Sequence, residues 1–153
     1  MTDEKIKQLI RECRVEADKS IAGGNPPFGC IIADKHGTVV AREHNTQNSD
    51  NDPTAHAELK ALRSLGKKLG TRYFSGYVMF TNGSSCPMCA VAALSHISHY
   101  YYGAAPEPHM DPWLPVEQVV KKSKNPFAVK GPILADDCAA QIARGRKALR
   151  QKS

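Results

Sequence analysis

The stretch from Tyr77 to Leu94, YVMFTNGSSCPMCAVAAL, reads as a strand, a turn and a helix in immediate succession. Tyr77 to Thr81 is a β-favouring run, Asn82-Gly83-Ser84-Ser85 supplies a loop, and Pro87 suits the first turn of a helix that continues through Val91, Ala92 and Leu94. The sequon Asn82-Gly83-Ser84 is read as part of that turn. Upstream, Ile6, Leu9, Ile10, Cys13, Ala17 and Ile21 recur at helical spacing from Asp3 to Ala22, and Gly23-Gly24-Asn25-Pro26-Pro27 stops the helix. Phe28 to Ala33 and Thr38 to Ala41, joined by the turn Asp34-Lys35-His36-Gly37, form a predicted hairpin.

The polar run Arg42 to Pro53 is a loop, and Pro53-Thr54 opens a second helix with Ala57, Leu59, Ala61, Leu62 and Leu65 on its apolar face. Beyond Leu94, His99 to Tyr102 reads as a strand and Gly103 to Pro115 as a proline-rich loop holding the only tryptophan. Val116 to Lys122 follows as a short helix and Pro132 to Ala135 as a final strand. Asp136 and Asp137 then introduce a helix with Ile142, Ala143 and Leu149 inside. A helix, two strands, then helices alternating with strands imply a three-layer α/β domain around a mixed sheet, one domain over residues 1–153.

No apolar run approaches the roughly 20 residues that a membrane helix requires. The N-terminal MTDEKIKQLIREC has no secretory pattern, so a cytoplasmic location is expected. Five cysteines, an odd number, speak for reduced thiols or metal ligands rather than a disulfide framework. Cys13, Cys30 and Cys138 are read as small buried hydrophobes. The net charge of +6 is concentrated late, with Arg144, Arg146, Lys147 and Arg150 in the final helix. It reads as a solvated helix face, and it would also attract phosphate.

The chemistry lies in His56-Ala57-Glu58 at one helix start and Cys86-Pro87-Met88-Cys89 at another. One imidazole and two thiolates suit Zn2+, and three protein ligands leave the fourth tetrahedral position open for water. A metal there lowers the pKa of water from 15.7 towards roughly 7. Glu58, two residues from His56, is placed to move protons. His36, His44, His96, His99 and His109 have no partner motif and read as surface or satisfied histidines.

His-x-Glu followed by Cys-x-x-Cys resembles the cytidine deaminase-like zinc deaminases. Pro27-Phe28-Gly29, Asn45, the run Asn51 to Glu58, and Tyr101-Tyr102-Gly103-Ala104 are similar to the branch holding guanine deaminases and tRNA adenosine deaminases. The resemblance implies an α/β/α fold with a mixed five-stranded sheet. It also implies Glu58 as the catalytic proton carrier, and substrate contacts from Phe28, the Asn45 side chain and the backbone amides at Ala57 and Cys86. A homodimer, pairing across the helices that bear the cysteines, is implied as well. Trp113 is a candidate lid over the substrate ring or an anchor for its loop.

The chain departs from the family pattern at Ser84-Ser85, where Glu-Pro or Ser-Pro is usual. Zinc ligation should survive this, and substrate identity is what the change bears on. The first expectation is therefore hydrolytic deamination of a free nucleobase-like small molecule, guanine-like before cytosine-like, releasing ammonia. The alternatives are adenosine deamination in tRNA, with RNA as partner, and a non-catalytic zinc-binding module on the same scaffold.

Overall fold

The computed structural model describes residues 1–152, with side chains through Gln151. Helix α1 (Asp3–Ala22) begins where the Thr2 hydroxyl accepts the Lys5 N–H at 3.1 Å, with Asp3 and Glu4 in the first turn complementing the helix dipole. It is followed by β1 (Gly29–Ala33), β2 (Val39–His44), α2 (Ala57–Leu69), β3 (Tyr77–Gly83), α3 (Pro87–Ala93) and β4 (Ile97–Ala104). Helix α4 (Val116–Lys121), β5 (Ala128–Lys130) and α5 (Ala135–Lys152) complete the order.

The strands form one mixed five-stranded sheet in the order β2-β1-β3-β4-β5. The β2-β1 and β1-β3 pairs are antiparallel, whereas β3-β4 and β4-β5 are parallel. Side chains alternate faces along each strand, so β1 feeds two cores at once. Cys30 and Ile32 join Ala61, Leu65, Ala90 and Val116 under α2, α3 and α4. Ile31 and Ala33 join Leu9, Ile10, Cys138 and Ile142 under α1 and α5. These two clusters are the inner faces of a three-layer α/β/α arrangement. Among the described residues no helix is long and apolar enough to cross a membrane.

The third strand runs two residues further than its apolar run suggests, and Asn82 lies fully buried within it rather than in a turn. Asn82 donates to the Pro27 carbonyl at 2.9 Å and accepts the Gly29 N–H at 3.0 Å, which ties the 27–29 segment to the sheet. The predicted strand at Pro132 to Ala135 is not formed. The edge strand is Ala128–Lys130, too short to show a period, and the Pro132 nitrogen has no hydrogen to give to a ladder. Ala143 is exposed and Leu149 half-buried, because the inner face of α5 runs through Cys138, Gln141, Ile142 and Gly145. Cys13, Cys30 and Cys138 are all buried, as read.

Gly29 marks the closest approach of α1 to the sheet. A Cβ there would lie 2.2 Å from the Cys13 carbonyl oxygen and 2.7 Å from the Ala17 nitrogen, both backbone atoms that cannot step aside. Gly29→Ala is expected to destabilise the fold by about 3 kcal/mol. A shift of the urea midpoint to lower concentration at unchanged slope checks this.

Candidate active site

Helix α2 begins with His56 in the capping position, on extended backbone at φ −69°, ψ 146°, and Glu58 falls in its first turn. Helix α3 begins the same way, with Cys86 as cap at φ −69°, ψ 165°, and Pro87 next. The two cap side chains face each other. His56 Nδ1 stands 3.6 Å from Cys86 Sγ and 3.4 Å from Cys89 Sγ, and the three atoms lie within 4.8 Å of one another. A tetrahedral zinc with bonds of about 2.0 Å to nitrogen and 2.3 Å to sulfur holds N and S about 3.5 Å apart. The donor set and its spacing fit zinc.

Without metal, these groups share protons. The Cys86 thiol is pulled down to about 4, first by the hydrogen bond from Cys89 and then by His56, and the Cys89 thiol is pushed up by the same bond and by burial. The hydrogen bond to Cys86 raises the His56 pKa. Such a cluster exchanges its shared protons for a divalent cation. Burial pushes the Glu58 carboxyl above the usual carboxylate range, and the charge of Cys86 adds to this.

A cavity of about 340 Å³ opens beside the cluster, with His56, Glu58 and Cys86 in its wall. Phe28 and Asn45 line it as the sequence suggests. The Asn45 amide also serves its own turn, donating to Gln47 Oε1 at 2.7 Å and accepting the Gln47 N–H at 2.9 Å. Ala57 is fully buried at the start of α2, outside the cavity wall. Trp113 also lies outside that wall, with its side chain 55% exposed, because Leu114 takes the place of loop anchor against the core.

The rest of the lining comes from residues that the sequence does not mark as site residues. Ala105, Glu107, His109, Met110 and Asp111 arrive from the loop after β4, and Ile142 and Arg146 arrive from α5. Arg146 pairs with Glu107 through two hydrogen bonds of 3.2 and 2.8 Å, a fork geometry that fixes both groups. Its guanidinium lies 5.2 Å from the centre of the Phe28 ring. His109 is exposed, as read, and stands 3.8 Å from Glu107 at the cavity rim. Nothing in the sequence sets Arg146 apart from the solvated cations around it. Ser84 lines the cavity with a buried hydroxyl that has no hydrogen-bond partner among the described residues. Ser85 sits behind it and donates to Glu58 Oε1 at 2.8 Å.

The chain resembles the tRNA-specific adenosine deaminase of Aquifex aeolicus, 34% identical over 95 residues, which covers 61% of this chain and 62% of that protein. It also resembles the guanine deaminase of Bacillus subtilis, 41% identical over 68 residues, 44% of this chain and 43% of that protein. It thus spans less than two thirds of either relative. A solved tRNA:A34 deaminase superimposes with a TM-score of 0.78 at 25% identity, covering 88% of this chain and 98% of that one. The family model for the cytidine and deoxycytidylate deaminase zinc-binding region matches residues 3–104, which include His56, Glu58, Cys86 and Cys89. The chain therefore belongs to the cytidine and deoxycytidylate deaminase family, with zinc as its cofactor.

Proposed function

We propose that the chain hydrolyses an exocyclic amino group from a free nucleobase-like ring, guanine-like before cytosine-like. The observation that carries this reading is Glu58, a buried carboxylate in the wall of the same cavity as His56 and Cys86. His56, Cys86 and Cys89 would hold the zinc, which when bound makes a water nucleophile available at neutral pH. Glu58 accepts a proton from the attacking water and delivers it to the ring nitrogen, then takes the second proton from the hydroxyl newly added to the ring carbon and passes it to the amine, which leaves as ammonia. Water adds its oxygen to the ring carbon, the C–N bond breaks, and an oxo base and ammonia result. Phe28 offers an apolar face to the ring, and Asn45 offers a polar edge.

The likeness to tRNA adenosine deaminases favours a second reading, an adenosine of RNA as substrate. Against it, Asp111 stands in the cavity wall with Glu58 and offers a carboxylate to the N–H groups of a purine, while the Glu107 charge beside it is balanced by Arg146. In kcat/KM measurements on guanine, cytosine, their nucleosides and an RNA hairpin, the free base is expected to lead, with little dependence on salt. A hairpin preferred over every base, with a steep salt dependence, would establish the RNA reading instead. Zinc bound with no turnover on any of them would point to the non-catalytic module. We further infer a homodimer, supported by Met88 and Val91 exposed on α3, and a reducing cytoplasmic setting for the five free thiols.

A further inference from the structure

We propose that Ser85 is a positioning residue for Glu58, itself held in place by the buried Tyr100 hydroxyl. This rests on the deaminase reading above. The Ser85 hydroxyl donates to Glu58 Oε1 at 2.8 Å and lies 2.9 Å from the Tyr100 hydroxyl. The Ser85 N–H donates to that same hydroxyl at 2.8 Å, and Thr81 Oγ1 stands 2.7 Å from it. Thr81, Ser85 and Tyr100 are 1–3% exposed, and Glu58 is 7% exposed.

The proton count fixes the role of the Ser85 hydroxyl. Ser85 has one hydroxyl proton and gives it to the carboxylate, and its N–H donates to Tyr100; because Thr81 gives its own proton to the Gly83 carbonyl at 2.7 Å, the single Tyr100 proton is shared between the Ser85 and Thr81 oxygens. The Ser85 hydroxyl thereby points towards Glu58, and Tyr100 holds the Ser85 backbone from the other side. One carboxylate oxygen is pinned from behind, which sets the plane of the group that must meet water, ring nitrogen and amine in turn.

The position also explains what the chain does with its unusual Ser84-Ser85. A proline at 85 would carry neither a hydroxyl for Glu58 nor an N–H for Tyr100. Tyr100 is buried in the core, and its hydroxyl would then lose two of its polar partners. Ser85 and Tyr100 form one device, drawn from the middle of the β3–α3 connection and the middle of β4.

The test uses the zinc-loaded protein and three variants, Ser85→Ala, Ser85→Thr and Tyr100→Phe. Ser85→Ala is expected to keep one equivalent of zinc and to hold KM within about twofold while kcat falls about 10- to 100-fold. Ser85→Thr, which keeps the hydroxyl, should recover most of that loss, and Tyr100→Phe should show an intermediate one. In a Glu58→Gln background, Ser85→Ala should cost nothing further, because the residue acts through the carboxylate. A wild-type kcat in Ser85→Ala, or a loss that adds fully to that of Glu58→Gln, would overturn the proposal. Crystal structures of wild type and Ser85→Ala supply a readout independent of turnover, with the Glu58 carboxylate expected to rotate away from its wild-type plane. An unmoved carboxylate overturns the positioning role. A wild type inert on every ring overturns the deaminase reading instead.

Discussion

Glu58→Gln leaves a folded, zinc-binding protein whose kcat falls by about 10²- to 10⁴-fold, the range that a positioned proton carrier contributes. Glutamine has the same shape and keeps an oxygen to accept the Ser85 hydroxyl, so the wall of the cavity is preserved. What disappears is the ability to take a proton from water and return it to ring and amine. The fold should not suffer. Burial holds the Glu58 carboxyl above its ordinary pKa, so its ionised form weakens the metal-free fold as pH rises through and above the usual carboxylate range. The neutral amide removes that penalty. Turnover, zinc content and the melting temperature of the metal-free protein at pH 7 check the three parts together. Substantial activity in the variant would move proton transfer to another group.

Cys89→Ser is expected to abolish zinc retention. The Cys89 side chain is almost wholly buried, 3.4 Å from His56 Nδ1, and a serine hydroxyl does not ionise to replace its thiolate. Zinc at about 1,000 times its dissociation constant adds about 4 kcal/mol to the wild-type fold. For a chain of this length that raises the melting temperature by about 8–16 °C. The variant should show no such rise, and its turnover should vanish with its metal. Thermal melts with and without added zinc, alongside metal analysis after dialysis against a chelator, decide the matter. A full zinc-dependent shift in Cys89→Ser would exclude this thiol from the metal site.

The layers and the metal cluster are legible in the sequence because they rest on short-range pattern. Leu9, Ile10, Cys13 and Ala17 are buried where helical spacing puts them, and Ile31 and Ile32 fall on opposite faces because a strand alternates. His56 and Glu58, and Cys86 and Cys89, are each set by one helix start, so local spacing fixes their relation. The far wall of the cavity has no such signature. Glu107 and Arg146 meet only because α5 packs back over the end of β3 and β4, which brings residues 39 positions apart into one ion pair. Trp113 drew attention as the sole tryptophan, yet core contact went to its smaller neighbour Leu114. Ser85 looked like a lost proline, and its partners on α2 and β4 are joined only by the sheet.

Ammonia release from guanine by the zinc-loaded protein, with the purine product identified and the metal then stripped and restored, is the most direct measurement of the central claim. The account predicts one ammonia and one oxo base for each guanine consumed, loss of turnover on stripping, and recovery with zinc. One tightly held zinc per chain, with no ammonia from guanine, cytosine, their nucleosides or RNA, would contradict it.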